Sequence, residues 1–405
     1  MTTAQHSKTE SSVAPVERAG TAYGMAKGHH DARLTEVGPG TPCGEFLRRY
    51  WLPVALSADA TTTPREVRAL GEDLILFRDR QGRPGLLYPR CSHRGTSLLY
   101  GKAEDEGLRC CYHGWLFGVD GTCVEMPCEP PTSTYKTRIR QPWYEVLEQY
   151  GLIWAYMGPP DRKPLLPKYD IFENLAEDEY LEPNDLGAST GGLGKHFVAP
   201  WNWVQNWENN LDPAHVRILH VAFSGFQFTS GVPTRFEPWK FEYVEDGVTL
   251  TTVGYFDDGR RLERNFEVRF PTEARIADPM LRPGPMRTLL FTLPVDDTHF
   301  MVYAVRKQVR GQENYSRLNF GGKSWDEMTD AERRDTPGDF EAQSGQGRIT
   351  LHSEENLAST DRGVIMVRRA LRKQIDAVEA GLDPAGLNFD PANQLVHVGG
   401  GNLFT

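Results

Sequence analysis

The sequence predicts an α+β protein built from two units, an all-β unit followed by an α+β unit with an antiparallel sheet. Short strand signals separated by Gly- and Pro-rich turns run from Val67 to Gly158. A run carrying four prolines, PPDRKPLLPKYD at 159–170, interrupts them. Beyond it, longer hairpin patterns alternate with stretches of helical period. A chain of 405 residues also exceeds one core of ordinary size, which makes two units the default expectation.

Residues 1–35 mix Ser, Thr, Ala and Gly with the pair His29-His30 and show no period, as a flexible N-terminal arm would. Order begins around CGEFLRRYWLPVAL, so the first unit is expected to span 36–160. Within it, DLILF (73–77), the turn-rich RDRQGRPG and LLY (86–88) read as a hairpin, and YGLIWAYMG (150–158) reads as a closing strand. The proline-rich run reads as a linker and leaves 161–405 for the second unit. There, WKFEYVEDGVTLTTVGYF (239–256) predicts two strands around Glu245, Asp246 and Gly247, and RTLLFTLPVDDTHFMVYAV (287–305) predicts another pair. Trp203, Trp207 and Leu211 recur at helical spacing. Val364, Val367, Leu371, Ile375 and Val378 trace one helical face, with Thr360 as cap and Gly381 as stop.

Composition narrows the function classes. A hydrophobic content of 39% with 25% charge is globular. The formal charge of -10 and the lack of any basic tract argue against nucleic acid, which leaves small molecules or proteins as partners. No apolar run approaches the roughly 20 residues of a membrane span, and the start MTTAQHSKTE lacks a charged region followed by an apolar one, so the cytoplasm is expected. In that compartment, cysteines clustered with histidines indicate metal or redox work rather than disulfides. Cys43, Cys123 and Cys128 lie outside the cluster and read as packing residues.

The cluster is CSHRGTSLLYGKAEDEGLRCCYHGW, residues 91–115. Cys91-x-His93, sixteen intervening residues and Cys110-x-x-His113 offer two sulfur and two nitrogen ligands from two loops. Two occupants fit that set: tetrahedral zinc, or a two-iron, two-sulfide cluster with both cysteines on one iron and both histidines on the other. Gly95 and Gly114 would let the backbone approach bridging sulfides, which a zinc site does not require. The pattern CSHRG…CCYHGW resembles the oxygenase (alpha) component of the Rieske non-heme iron oxygenases. The resemblance implies a [2Fe-2S] Rieske cluster held by Cys91, His93, Cys110 and His113. Spacing to His113 selects Cys110 over Cys111, which is then expected to be a buried neighbour.

A second constellation, NWVQNWENNLDPAHVRILH at 202–220, holds Asp212, His215 and His220. Two imidazoles and a carboxylate facing one point are the ligand set of a mononuclear Fe(II) site with positions open for O2 and substrate. Residues five apart on a regular helix differ by about 140°, so His215 and His220 converge only if the helix is distorted or ends between them. A distortion is therefore expected. The plain alternative is a helix with two satisfied histidines, capped by Asp212 ahead of Pro213.

The resemblance assigns His215 and His220 to the iron and gives Asp212 a bridging role, linking His215 to the cluster ligand His113 of a neighbouring subunit. That role implies a homotrimer or stacked trimers. For the third ligand, PGDFEAQSGQG (337–347) resembles the phthalate dioxygenase branch and favours Asp339. The rival, Asp361, reads better as a first-turn acid on a helix, and Glu341 and Glu354 are weaker candidates.

The resemblance runs from GTPCGEFLRRYWLPV to the terminal helix and is strongest to phthalate dioxygenase and aryl O-demethylases. It implies a Rieske domain followed by a helix-grip-like catalytic domain. It further implies an NADH-dependent flavin and iron-sulfur reductase as partner, and an aromatic acid or methoxy-aromatic as substrate, oxidised by ring hydroxylation or O-demethylation. Trp201, Trp203, Trp207, Phe223, Phe226 and Phe228 flank the histidine motif, but such spacing is more often plain core, so no pocket is assigned to them. A non-catalytic iron-sulfur electron carrier, or a zinc-stabilised binding protein, would keep the first motif without needing the second.

Overall fold

Two antiparallel sheets form the N-terminal half of the computed structural model, which describes residues 25–185, 197–225, 227, 232–313, 323 and 325–405. The larger has six strands. At its centre the expected hairpin pairs Glu72–Arg78 with Pro84–Leu87, Ile75 opposite Leu87. The expected closing strand, Leu152–Tyr156, is fully buried between Trp51–Leu56 and Trp143–Gln149. The smaller sheet has four short strands, and its core joins Ile75, Phe77 and Leu87 to Leu108, Trp115 and Phe117. Cys91 and Cys110 belong to this satellite core, which is separate from the main one.

The C-terminal half is built on a ten-stranded antiparallel sheet. Both expected strand pairs are present. Lys240–Val244 meets Gly247–Tyr255 around a two-residue turn, and Thr288–Asp296 meets His299–Val309. The helix Arg362–Glu379 packs on this sheet through Val364, Val367, Leu371 and Ile375. Gly381 stops it with φ +77, as expected. Asp361 rather than Thr360 holds the cap position, and its carboxylate accepts from the Ala358 N–H at 2.7 Å. The short helix Trp203–Asn209 is buried on nearly all sides, with Trp203 and Trp207 at 0% exposure.

Three further expectations meet a different structure. Residues 31–35, assigned to the flexible arm, are packed: Ala32–Thr35 is a short helix, Leu34 is fully buried, and Asp31 accepts from Arg372 at 2.7 Å. One apolar residue entering the main core is enough to anchor so short a segment, and composition did not reveal it. Residues 1–24 of the arm lie outside the described residues. The proline-rich run at 159–170 is pinned rather than free, because its carbonyls are accepting partners. Pro164 O takes the Trp51 indole N–H at 2.8 Å, and Pro167 O takes the Gln149 amide at 2.6 Å. Phe223 is 67% exposed, whereas Trp201, Trp203 and Trp207 are core; Phe226 and Phe228 lie outside the described residues.

A buried ion cluster ties the helix Trp203–Asn209 to the C-terminal helix. Arg368 donates to both carboxylate oxygens of Glu208 at 2.7 Å and to Glu355 at 2.9 Å. Burial pushes the Glu208 carboxyl up, opposed by the Arg368 charge. Replacing Arg368 with Leu strands Glu208 in the core. Chemical denaturation of Arg368→Leu is expected to show a loss of about 3–5 kcal/mol; an unchanged midpoint would mean the cluster is solvated.

Candidate metal centres

The first constellation occupies two loops, one linking the strand Pro84–Leu87 of the large sheet to Lys102–Glu104 of the small one, the other joining Gly107–Arg109 to Leu116–Phe117 within the small sheet. Their backbones close in the same way. In one, Cys91 N–H donates to Thr96 O at 2.9 Å and Gly95 N–H to Cys91 O at 2.8 Å. In the other, Cys110 N–H donates to Trp115 O at 2.8 Å and Gly114 N–H to Cys110 O at 3.1 Å. Gly95 and Gly114 stand four residues after each cysteine with φ +75 and +73, a conformation L side chains rarely adopt. A Cβ on Gly114 would also stand 2.8 Å from the Pro127 ring. Cys110, not Cys111, is thus the structural equivalent of Cys91.

The loops set both thiols in the core and both imidazoles side by side. Cys91 and Cys110 are each 3% exposed, and the Cys91 thiol is pushed up to about 11, by burial first and by the neighbouring Cys110 next. The His93 and His113 ring centroids lie 4.5 Å apart, and His93 stacks on Trp115 at 4.2 Å. Burial, then the neighbouring His113, lowers the His93 pKa. His113 Nδ1 is buried without a hydrogen-bond partner among the described residues. An orphaned buried nitrogen beside paired thiols and a second imidazole is the donor chemistry a two-iron cluster takes.

Two side chains that carried no sequence signal brace these loops. Gln141, fully buried, donates to Tyr88 O and Arg90 O at 2.8 and 2.9 Å and accepts from Ser92 N–H at 2.8 Å. Arg109 donates to Gly114 O at 2.6 Å while paired with Glu104 and Glu125. Cys111, expected to be a buried neighbour, is exposed, as is Cys128; only Cys43 and Cys123 are the packing residues foreseen. Cys111 turns outward because it follows Cys110 in a tight loop whose inner side is taken by the Cys110 sulfur.

The second constellation shows the expected distortion. Asp212 caps the helix Pro213–Arg217, accepting from Ala214 N–H at 2.9 Å, and the chain then widens into a π-helical stretch over Ile218–Phe223. There Ser224 N–H reaches Leu219 O at 3.0 Å, five residues back. The wider turn brings residues five apart toward one face. His215 Nε2 and His220 Nε2 lie 3.6 and 3.3 Å from the same oxygen of Asp339, the first residue of the helix Asp339–Gly345. One ligand atom from each of the three can be chosen so that all lie within 4.8 Å of one another.

Charge at this point is ordered. Burial opposes ionisation of Asp339, but the two imidazoles outweigh it and hold its carboxyl down at about 2. His215 sits between two carboxylates: burial would lower its pKa, yet Asp212 and Asp339 raise it. Its Nδ1 faces Asp212 Oδ2 at 3.5 Å. Asn209, which sequence reasoning missed, contacts both His215 Nε2 at 3.4 Å and Asp339 Oδ1 at 3.3 Å. Asp361 is occupied at its helix cap, Glu341 bonds Gly338 N–H and the Trp325 indole, and Glu354 is exposed, so none of these rivals reaches the histidines.

Comparison with known proteins identifies the family. Residues 50–136 match the Rieske [2Fe-2S] domain. The alpha subunit of phenoxybenzoate dioxygenase from Ectopseudomonas oleovorans is 50% identical over 398 residues, covering 97% of this chain and 96% of that protein. The chain belongs to the Rieske non-heme iron oxygenases, as an oxygenase (alpha) component. The oxygenase subunit of tert-butanol monooxygenase / tert-amyl alcohol desaturase from Aquincola tertiaricarbonis is 35% identical, covering 87% of this chain and 77% of that one. The 5,5'-dehydrodivanillate O-demethylase oxygenase subunit from Sphingobium sp. is 32% identical over 91% and 85%. Among solved structures, Pseudomonas putida CBB5 NdmA with caffeine shares the fold at TM-score 0.61 and 17% identity, over 86% of this chain and 99% of that one.

A Rieske oxygenase component carries a [2Fe-2S] cluster and a mononuclear iron and uses O2. The two donor sets described here fit those groups. Loop equivalence makes a sharp distinction between adjacent cysteines. Cys110→Ser is expected to abolish the visible absorbance of the cluster while Cys111→Ser leaves it intact; the opposite pattern would break the equivalence.

Proposed function

We propose that this chain oxidises an aromatic acid or a methoxy-aromatic compound, by ring hydroxylation or O-demethylation, with electrons from a separate NADH-dependent flavin and iron-sulfur reductase. The observation that carries the catalytic reading is the convergence of His215, His220 and Asp339 within 4.8 Å. An electron carrier or a zinc-stabilised binding protein has no use for it. The substrate class rests on the phenoxybenzoate and dehydrodivanillate relatives. The cytoplasm is the proposed compartment; among the described residues no helix is long and apolar enough to cross a membrane.

In this reading Cys91, His93, Cys110 and His113 hold the Rieske cluster and His215, His220 and Asp339 hold the iron. The cluster-bearing unit spans 36–160 and the iron-bearing unit 161–405. When bound, the cluster supplies single electrons and the iron offers open positions at which oxygen and substrate can meet. The chain's own part is electrostatic and geometric. Asp339 stays ionised and offsets metal charge, and Asn209 steadies it from the preceding helix. Asp212 Oδ2 approaches His215 Nδ1 to 3.5 Å and remains one-quarter exposed, so its carboxylate can also face His113 of a neighbouring subunit in a trimer.

Two measurements test this. In pre-reduced protein exposed to oxygen, one aromatic acid or aryl methyl ether should accelerate cluster reoxidation and yield an oxygenated or demethylated product. Acceleration by tertiary alcohols alone would move the substrate class to that of the Aquincola relative. Asp212→Asn should keep both metal centres yet slow substrate-stimulated reoxidation by about 10–100-fold; wild-type rates would remove Asp212 from the route.

A further inference from the structure

The second histidine of the iron site is held by a side chain to which no role has been assigned. His220 is fully buried, and its Nδ1 lies 2.6 Å from Oε1 of Gln227, which is itself fully buried. The other end of the same amide, Nε2, donates to the backbone carbonyl of Pro337 at 3.2 Å. A carbonyl can only accept, so the NH2 end of Gln227 must face Pro337 and its oxygen must face the imidazole. An amide oxygen can only accept as well. His220 therefore carries a proton on Nδ1, which leaves Nε2, 3.3 Å from Asp339 Oδ1, as the ring nitrogen available to a metal.

Gln227 also joins the two segments that must meet at the iron. Its backbone N–H donates to His220 O at 3.1 Å, closing the chain just after the π-helical stretch. Pro337, which receives its side chain, lies two residues before Asp339 and accepts Ser224 Oγ at 2.7 Å as well. The other histidine has a different neighbour, the carboxylate of Asp212, whose Oδ2 lies 3.5 Å from Nδ1. A charged partner at His215 and a neutral one at His220 leave a single ionised carboxylate behind the two imidazoles.

We propose that Gln227 is a positioning residue of the iron site, which fixes the Nε2-coordinating tautomer of His220 and ties the histidine turn to the turn carrying Asp339. This rests on the reading of His220 as an iron ligand. Without Gln227 the ring can present either nitrogen, and a buried Nδ1–H loses its acceptor.

The test uses the full chain with its cluster intact and the mononuclear metal removed, titrated with Co(II) and followed by its ligand-field bands and by the free metal concentration. Gln227→Leu should weaken Co(II) binding by about 10–100-fold and shift the bands, with cluster absorbance unchanged. Gln227→Glu restores an acceptor for His220 but no donor for Pro337, and should recover part of the affinity. Wild-type affinity and bands in Gln227→Leu would overturn the proposal, as would equal losses in both variants. His220→Ala separates the two claims: it should abolish binding at this site, and if it binds Co(II) like wild type, the ligand reading itself is wrong.

Discussion

Two imidazoles five residues apart cannot reach one point from a regular helix, and the candidate iron site depends on how the chain meets that constraint. Pro213 sets the first turn, Asp212 caps it, and after Arg217 the hydrogen bonds lengthen to five residues so that His215 and His220 converge. A π-helical turn is rare and occurs mostly as a single-turn bulge within an α-helix. It persists here because its exit is fastened: Ser224 and Gln227 both donate to Pro337 O, and the helix beginning at Asp339 grows from that same point. The distortion and the arrival of the carboxylate are one structural event.

The candidate cluster site solves a related problem by duplication. Two loops with the same backbone closure place a cysteine at the first position and a glycine at the fifth, while the histidines sit two and three residues after their cysteines. The glycines are needed because the loop reverses with positive φ. Gln141 and Arg109 brace one loop each, through carbonyls and N–H groups that would otherwise be unsatisfied. The site sits on a small satellite core, whereas the main core runs continuously from the large N-terminal sheet into the C-terminal one.

Much of this was legible in the sequence, for definite reasons. Hairpins are local, so their period and their Gly and Asp turns announce the pairs at 240–255 and 288–309. The face from Val364 to Ile375 shows a core-facing helix for the same reason, and the candidate metal ligands stand out by residue type and spacing. What remained hidden depends on contacts distant in sequence or on irregular chain. Leu34 entering the core, the pinning of the proline-rich run, and the outward turn of Cys111 and Cys128 have no periodic signature. Gln227 lies after the end of the π-helical stretch, where no pattern predicts a side-chain direction, and Gln141 is an ordinary residue until its two carbonyl partners are known.

The central claim is that Asp339, rather than the nearby helix-capping Asp361, completes the site with His215 and His220. Iron analysis of the two single variants tests it most directly. Asp339→Ala should fall from about three irons per chain to about two with the cluster spectrum unchanged, while Asp361→Ala keeps about three. Loss of the third iron in Asp361→Ala, with full iron retained in Asp339→Ala, would contradict the account.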